Sequence, residues 1–145
     1  MEHFERLIKM YDTAPIHNFY EGIKLRIEEN EARIDLEMTD DRYFHAGMST
    51  HGSVYFKLLD DAAYFACQSM IKDNFIVTTA FNTQLLRPIL GGKIYAEGIM
   101  EFESTQMFSA SSKLFDEKGR LCGTGHGQFL KSKVPLEAVE GYRAS

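Results

Sequence analysis

The chain has 145 residues, 16 Lys and Arg against 21 Asp and Glu, and a net charge of −5. That size suits one domain over residues 1–145 that closes a core without disulfide or metal staples, and 11 Phe with 7 Tyr exclude a disordered chain. The acidic balance without a basic stripe argues against nucleic acid as a partner. The short apolar runs argue against a membrane partner, and the opening residues carry no secretory pattern, so a cytoplasmic location is expected.

In chain order, residues 1–12 predict a short amphipathic helix, because Phe4, Leu7, Ile8 and Tyr11 share one face. Asp12 and Pro15 end it, within an N-terminal helical segment over residues 1–20. Residues 22–38 alternate as a hairpin, with Ile23, Leu25 and Ile27 on one strand, Ile34, Leu36 and Met38 on the next, and Glu29-Asn30-Glu31 as the turn. A polar loop fills 39–52. Residues 53–71 predict the longest helix, with Val54, Leu58, Ala62, Phe65, Ala66 and Met70 in an apolar band broad enough to require burial.

The second half predicts strands. Residues 75–87 run up to Arg87-Pro88, and Gly91-Gly92 breaks the chain. Residues 93–103 place Ile94, Ala96, Gly98, Met100 and Phe102 on one face. Residues 106–116 and 120–131 form a hairpin through Asp116-Glu117-Lys118-Gly119. Gly123, Gly125 and Gly127 share a face, a pattern that predicts close approach of another backbone, most simply the buried helix. Residues 132–145 are expected to be an exposed tail. Cys67 and Cys122, in no CxxC pattern, are expected to be reduced, buried thiols. The order predicts an α+β architecture, a curved antiparallel sheet wrapped around a long central helix.

The segment His51-Gly52-Ser53-Val54-Tyr55-Phe56-Lys57-Leu58-Leu59-Asp60 resembles the His-Gly-Gly loop and helix of hotdog-fold acyl-CoA thioesterases, in the phenylacetyl-CoA thioesterase (PaaI)-like branch. In that family a carboxylate lies nine residues after the histidine, here Asp60. Two further blocks match, Thr78 to Asn82 followed by Leu85-Leu86-Arg87-Pro88 and Gly91-Gly92, and Asp116 to Gly125. The resemblance covers about residues 20–130. The chain departs from the pattern at Ser53, where the family has its second glycine, at His45 for an asparagine, and at Met48 for a glycine.

The resemblance implies roles for particular residues. Thioester hydrolysis needs donors for the oxyanion and a carboxylate to activate water or attack. The Gly52 N–H would hold the oxyanion, helped by the positive end of the helix dipole, although Gly52 could also serve only as the loop-to-helix turn. Ser53 is read as the helix cap or as a residue shaping the pocket mouth. Asp60 and Asp61 differ on the helical wheel. Asp61 lies near Lys57, a structural partner at i−4, whereas Asp60 shares a stripe with Ser53, Phe56, Tyr64 and Cys67 and has no partner on its own helix. Asp60 is therefore the expected catalytic carboxylate, with a structural hydrogen bond to a strand as the alternative.

Thr78 matches a water-positioning hydroxyl, and is equally an ordinary strand threonine. Asn82, four residues on, is placed on the same strand face. His51 is read as shaping the loop more than acting as base, His45 as a donor to a substrate carbonyl or a loop residue, and Arg87 as a contact for coenzyme A phosphates. Tyr55, Phe56, Tyr64 and Phe81 supply aromatic surface for an aryl or medium-chain acyl group, or simply core. His45, His51 and Asp60 match no zinc signature. The resemblance implies no metal or redox cofactor, with coenzyme A entering as part of the acyl-CoA substrate, and a homodimer or dimer of dimers with sites across the junction. Two rival classes remain at this point, a hotdog hydratase or dehydratase using His51 with Asp60, and a non-catalytic acyl-CoA or acyl-lipid binding module.

Overall fold

The computed structural model describes residues 2–143. Helix α1 (His3–Asp12) and a 3-10 turn (Pro15–Asn18) precede the hairpin β1 (Lys24–Glu28) and β2 (Glu31–Met38). Asn30 makes the reversal possible at φ 66°, a left-handed conformation that its short polar side chain tolerates. A 3-10 turn (Asp41–Tyr43) leads to α2 (Gly52–Gln68), then β3 (Asn74–Leu85), β4 (Gly92–Glu103), β5 (Met107–Phe115) and β6 (Leu121–Pro135), with a last 3-10 turn at Leu136–Ala138. The six strands form one antiparallel sheet in the order β1-β2-β4-β5-β6-β3.

The sheet wraps α2. Val54, Leu58, Leu59, Ala62, Ala63 and Ala66 are each at most 1% exposed, so the helix is buried on several sides, as its apolar band requires. It ends three residues before the expected boundary, where the Ser69 hydroxyl turns back onto the Ala66 carbonyl at 2.7 Å. Of the glycines, the one on β4 leaves the least room for a side chain. A Cβ added at Gly98 would collide with the backbone of Ala62 and Ala63, so glycine there lets helix and sheet meet.

The structure corrects four expectations. The β6 glycines do not meet the backbone of α2: a Cβ at Gly123 would lie 3.1 Å from the Gln84 carbonyl of β3, and Cβ atoms at Gly125 and Gly127 would each lie 2.6 Å from the Phe81 ring. Phe102 leaves the inner face of β4, because a bulge between Met100 and Phe102 inverts the alternation and leaves it 50% exposed. A bulge between Thr78 and Ala80 likewise inverts β3, so Thr78 points inward while Asn82 points outward. Finally, residues 132–143 are not an exposed tail. β6 continues to Pro135, Leu136 and Tyr142 are buried, and the segment packs on α1. Arg6 stacks 4.1 Å over the Tyr142 ring and donates to the Tyr142 carbonyl, while His3 Nδ1 lies 2.7 Å from the Tyr142 hydroxyl. Residues 144–145 of that expectation lie outside the described residues.

Candidate active site

The site is built along one side of α2. His51 occupies the N-cap in an extended conformation, and its Nδ1 accepts from the Ser53 N–H at 3.0 Å and from the Ser53 hydroxyl at 2.8 Å. The cap is thus His51, and Ser53 is the second helical residue, exposed and bonded to the ring that caps the helix. Nδ1 accepts both bonds, which leaves the imidazole proton on Nε2. Gly52 follows as the first helical residue, and among the described residues its N–H makes no hydrogen bond. That unpaired donor at the positive end of the helix suits a developing anion.

Two turns along, Asp60 meets β3. Thr78 Oγ1 donates to Asp60 Oδ1 at 3.0 Å, so these two candidates are in contact. Burial pushes the Asp60 carboxyl up to about 6, reinforced by the neighbouring Asp61 charge and opposed by the Thr78 bond and by Lys57. A carboxylate in that range is ionised at neutral pH and still basic enough to take a proton from water. Asp61 is spoken for. Lys57 Nζ lies 2.7 Å from Asp61 Oδ2, and the Tyr11 hydroxyl donates to that oxygen at 2.6 Å.

Asp60 and Thr78 edge a cleft of about 340 Å³, whose apolar wall includes Met10, Ala14 and Ile16 from the N-terminal segment and Phe65, Phe75 and Val77 opposite. Sequence reasoning missed this wall. The α1 pattern marked Tyr11 as core, and nothing local in Ala14-Pro15-Ile16-His17 shows which surface it covers. His17 reaches Lys57 Nζ at 2.9 Å through Nε2 and the Tyr11 carbonyl at 2.6 Å through Nδ1.

The other candidates lie elsewhere. His45 is exposed, with Nδ1 accepting from Gly47 N–H at 3.0 Å and Nε2 lying 2.9 Å from the Ser49 hydroxyl, so both ring nitrogens serve its own loop. In that loop Met48 takes φ 67°, a conformation that explains glycine as the usual residue in the matching pattern. Asn82 accepts from Gln84 Nε2 at 3.0 Å on the outer face of β3, away from Asp60. Tyr64 borders the cleft with its ring, but its hydroxyl donates to the Ile76 carbonyl at 2.8 Å. Arg87 is exposed beside Gly91, Gly92 and Glu117, at the far end of β3 from Asp60. Tyr55 is buried with its hydroxyl on the Arg87 carbonyl at 2.7 Å. Phe56 packs edge-on to Phe81 at 5.5 Å and is 44% exposed.

Cys67 and Cys122 are buried and unpaired, and burial pushes the Cys67 thiol up to about 12, which leaves it unreactive as a nucleophile. Among the described residues no cluster of His, Cys, Asp and Glu is placed to hold a metal ion. No helix among them is long and apolar enough to cross a membrane. Within one chain the arrangement offers a half-buried base with a hydroxyl partner, and a free N–H donor eight residues earlier on the same helix. Eight residues of helix span about 12 Å, so one reacting carbon cannot touch both in a single copy.

Comparison with known proteins gives the family and the fold. The pattern of the Thioesterase superfamily matches residues 48–123. No curated protein matches the chain. Among solved structures, the E. coli PaaI protein from the phenylacetic acid degradation operon superposes with a TM-score of 0.81 at 18% identity, covering 92% of this chain and 95% of that one. A phenylacetic acid degradation-related protein of Ralstonia eutropha gives 0.76 at 17% identity, covering 89% and 99%. A thioesterase of Haemophilus influenzae gives 0.75 at 17% identity, covering 90% of each chain. At these identities the structural likeness establishes the hotdog fold.

Proposed function

Because the chain belongs to the thioesterase superfamily, we propose that it hydrolyses acyl-CoA thioesters, with Asp60 as general base or nucleophile and the Gly52 N–H as oxyanion donor. The observation that carries this reading is Asp60 itself. It is a carboxyl held near 6 by burial, bonded to Thr78, at the mouth of an apolar cleft. As general base, Asp60 takes a proton from water while the water oxygen adds to the thioester carbon. The tetrahedral oxyanion rests on the Gly52 N–H, and its collapse breaks the C–S bond as the proton held by Asp60 passes to sulfur, so coenzyme A leaves as the thiol. As nucleophile, Asp60 attacks the thioester carbon and displaces the coenzyme A thiolate to form a mixed anhydride, which water then opens to the free acid and the Asp60 carboxylate. Thr78 orients the carboxylate in either route. The cleft wall suits an aryl or medium-chain acyl group.

The separation of Gly52 from Asp60 supports a homodimer in which each site takes Asp60 from one copy and Gly52 from the other. β3 is an open sheet edge of 12 residues, and Val77, Leu85 and Leu86 along and just beyond it are exposed. Such an edge is normally paired or covered. The hydratase alternative is less favoured, since the His51 Nδ1 is engaged in capping and Nε2 carries the proton, which leaves the neutral ring no free basic nitrogen. The deciding experiment is a thiol-release assay over a panel of acyl-CoAs. Wild type is expected to turn over, and Asp60→Asn to lose about 10²–10⁴-fold in rate. Binding without thiol release by the wild type would favour the non-catalytic module.

A further inference from the structure

The charged side chains beside Asp60 take no part in the reaction just described, yet they are tightly held. Lys57 Nζ lies 2.7 Å from Asp61 Oδ2, and both side chains are only 14% exposed. The same ammonium donates to His17 Nε2 at 2.9 Å. The His17 Nδ1 sits 2.6 Å from the Tyr11 carbonyl, which can only accept, so Nδ1 carries the ring proton and Nε2 is free to accept from Lys57. Tyr11 closes the set through its hydroxyl on Asp61. Lys57 stands three residues before Asp60, on the same side of the helix and in the same cleft. An exposed i, i+4 pair would contribute little, but a clamped and buried one is screened far less by water and salt.

The geometry points to Lys57 as a positioning residue for Asp60: clamped by Asp61 and His17, it offsets the Asp61 charge and so sets the pH at which Asp60 loses its proton. This rests on the reading of Asp60 as the catalytic carboxylate. The groups facing the cluster come from five parts of the chain. α1 supplies Tyr11 and Asp12, the Pro15–Asn18 turn supplies His17, the loop after it supplies Tyr20, and α2 itself supplies Asp61 and Tyr64. β3 contributes only the neutral Thr78 hydroxyl to Asp60. His17 is held below its ordinary value by burial and by Lys57, so it stays a neutral acceptor. Asp60 therefore has a carboxylate and an ammonium as neighbours, and removing either leaves the other uncompensated.

The test is a carboxyl-carbon NMR titration of the full chain, with the Asp60 resonance assigned from its absence in Asp60→Asn. Lys57→Met is expected to raise the Asp60 midpoint by about one pH unit, and Asp61→Asn to lower it by about as much. Lys57→Arg should restore the wild-type midpoint, since the charge is kept. Midpoints that stay put, or that move together in both variants, overturn the proposal, because a purely structural pair predicts no opposed shifts. If Lys57→Met does not fold, Asp61→Asn decides alone, and a midpoint that fails to fall overturns it. The titration needs no substrate, so the two ideas fail separately. Full turnover by Asp60→Asn would end the catalytic reading and leave the midpoints as measured. Undisturbed midpoints with a dead Asp60→Asn would end only the role of Lys57.

Discussion

Asp60 shows how one residue can lower stability while enabling chemistry. Its native carboxyl titrates near 6, against about 3.9 in an unfolded chain. The folded state therefore keeps a proton that the unfolded state has already released. The stability associated with this group is fully present below about 3.9 and is lost as the pH rises through about 6. Asp60→Asn, which keeps an oxygen for Thr78 to donate to, should thus be more stable than wild type at pH 8 by up to about 3 kcal/mol. That gain should vanish at pH 4. Urea denaturation at the two pH values measures both. In the wild type, kcat/KM should climb with pH and level off above about 6, as the base becomes ionised. Sequence periodicity separated Asp60 from Asp61 correctly as to partners, because i, i+4 spacing is a local property of a helix. It could not show that Tyr11 and His17 reach the same pair.

The start of α2 and the middle of β4 are where whole elements depend on glycine, for opposite reasons. Gly52 is the first helical residue, where proline is well tolerated because the N–H has no intrahelical partner. His51, at φ −63° and ψ 143°, already has the conformation that a following proline favours. An added Cβ would lie 3.2 Å from a methyl of Leu85, an exposed side chain with room to turn. Gly52→Pro therefore removes one N–H and little else. It should fold with a near-native melting point and lose about 10²–10³-fold in kcat. Full activity in a folded Gly52→Pro would remove Gly52 from the mechanism. Gly98 is the contrary case, since its missing side chain admits the α2 backbone. Gly98→Ala should destabilise by about 3 kcal/mol or yield no soluble protein, because a helix backbone cannot step aside as a rotamer can. Circular dichroism with urea checks this.

For the molecule as a whole, the open β3 edge and the distance from Gly52 to Asp60 lead to one expectation about assembly. Sedimentation should show a dimer or a dimer of dimers at micromolar concentration, and a stable monomer would count against sites shared between copies. A sharper measurement mixes two inactive variants. Asp60→Asn and Gly52→Pro should each be dead as homodimers. Co-refolded, a mixed dimer carries both lesions in one site and none in the other, so activity should return. No recovery in verified mixed dimers would place Gly52 and Asp60 in the same copy's chemistry, or outside the chemistry altogether.

The order of helices and strands, the hairpin turns and the burial of α2 were legible in the amino-acid sequence, because 3.6- and two-residue periodicities and turn residues act over a few neighbours. The His51–Asp60 segment carried the family resemblance for the same reason, being a single local block. What lay beyond reach was long-range. Two bulges inverted the alternation on β3 and β4, sending Asn82 and Phe102 outward, since a bulge is set by pairing with the next strand and not by its own residues. Tyr142, which no local pattern marks as core, is buried because α1 offers it a surface, with Arg6 stacked over its ring. The cap passed from Ser53 to His51 by ring geometry, and the wall of the Asp60 cleft came from residues 10–17, some fifty positions earlier in the chain. Local periodicity determines which segments form helix and strand, while the site is decided by which distant surfaces must be covered to bury α2.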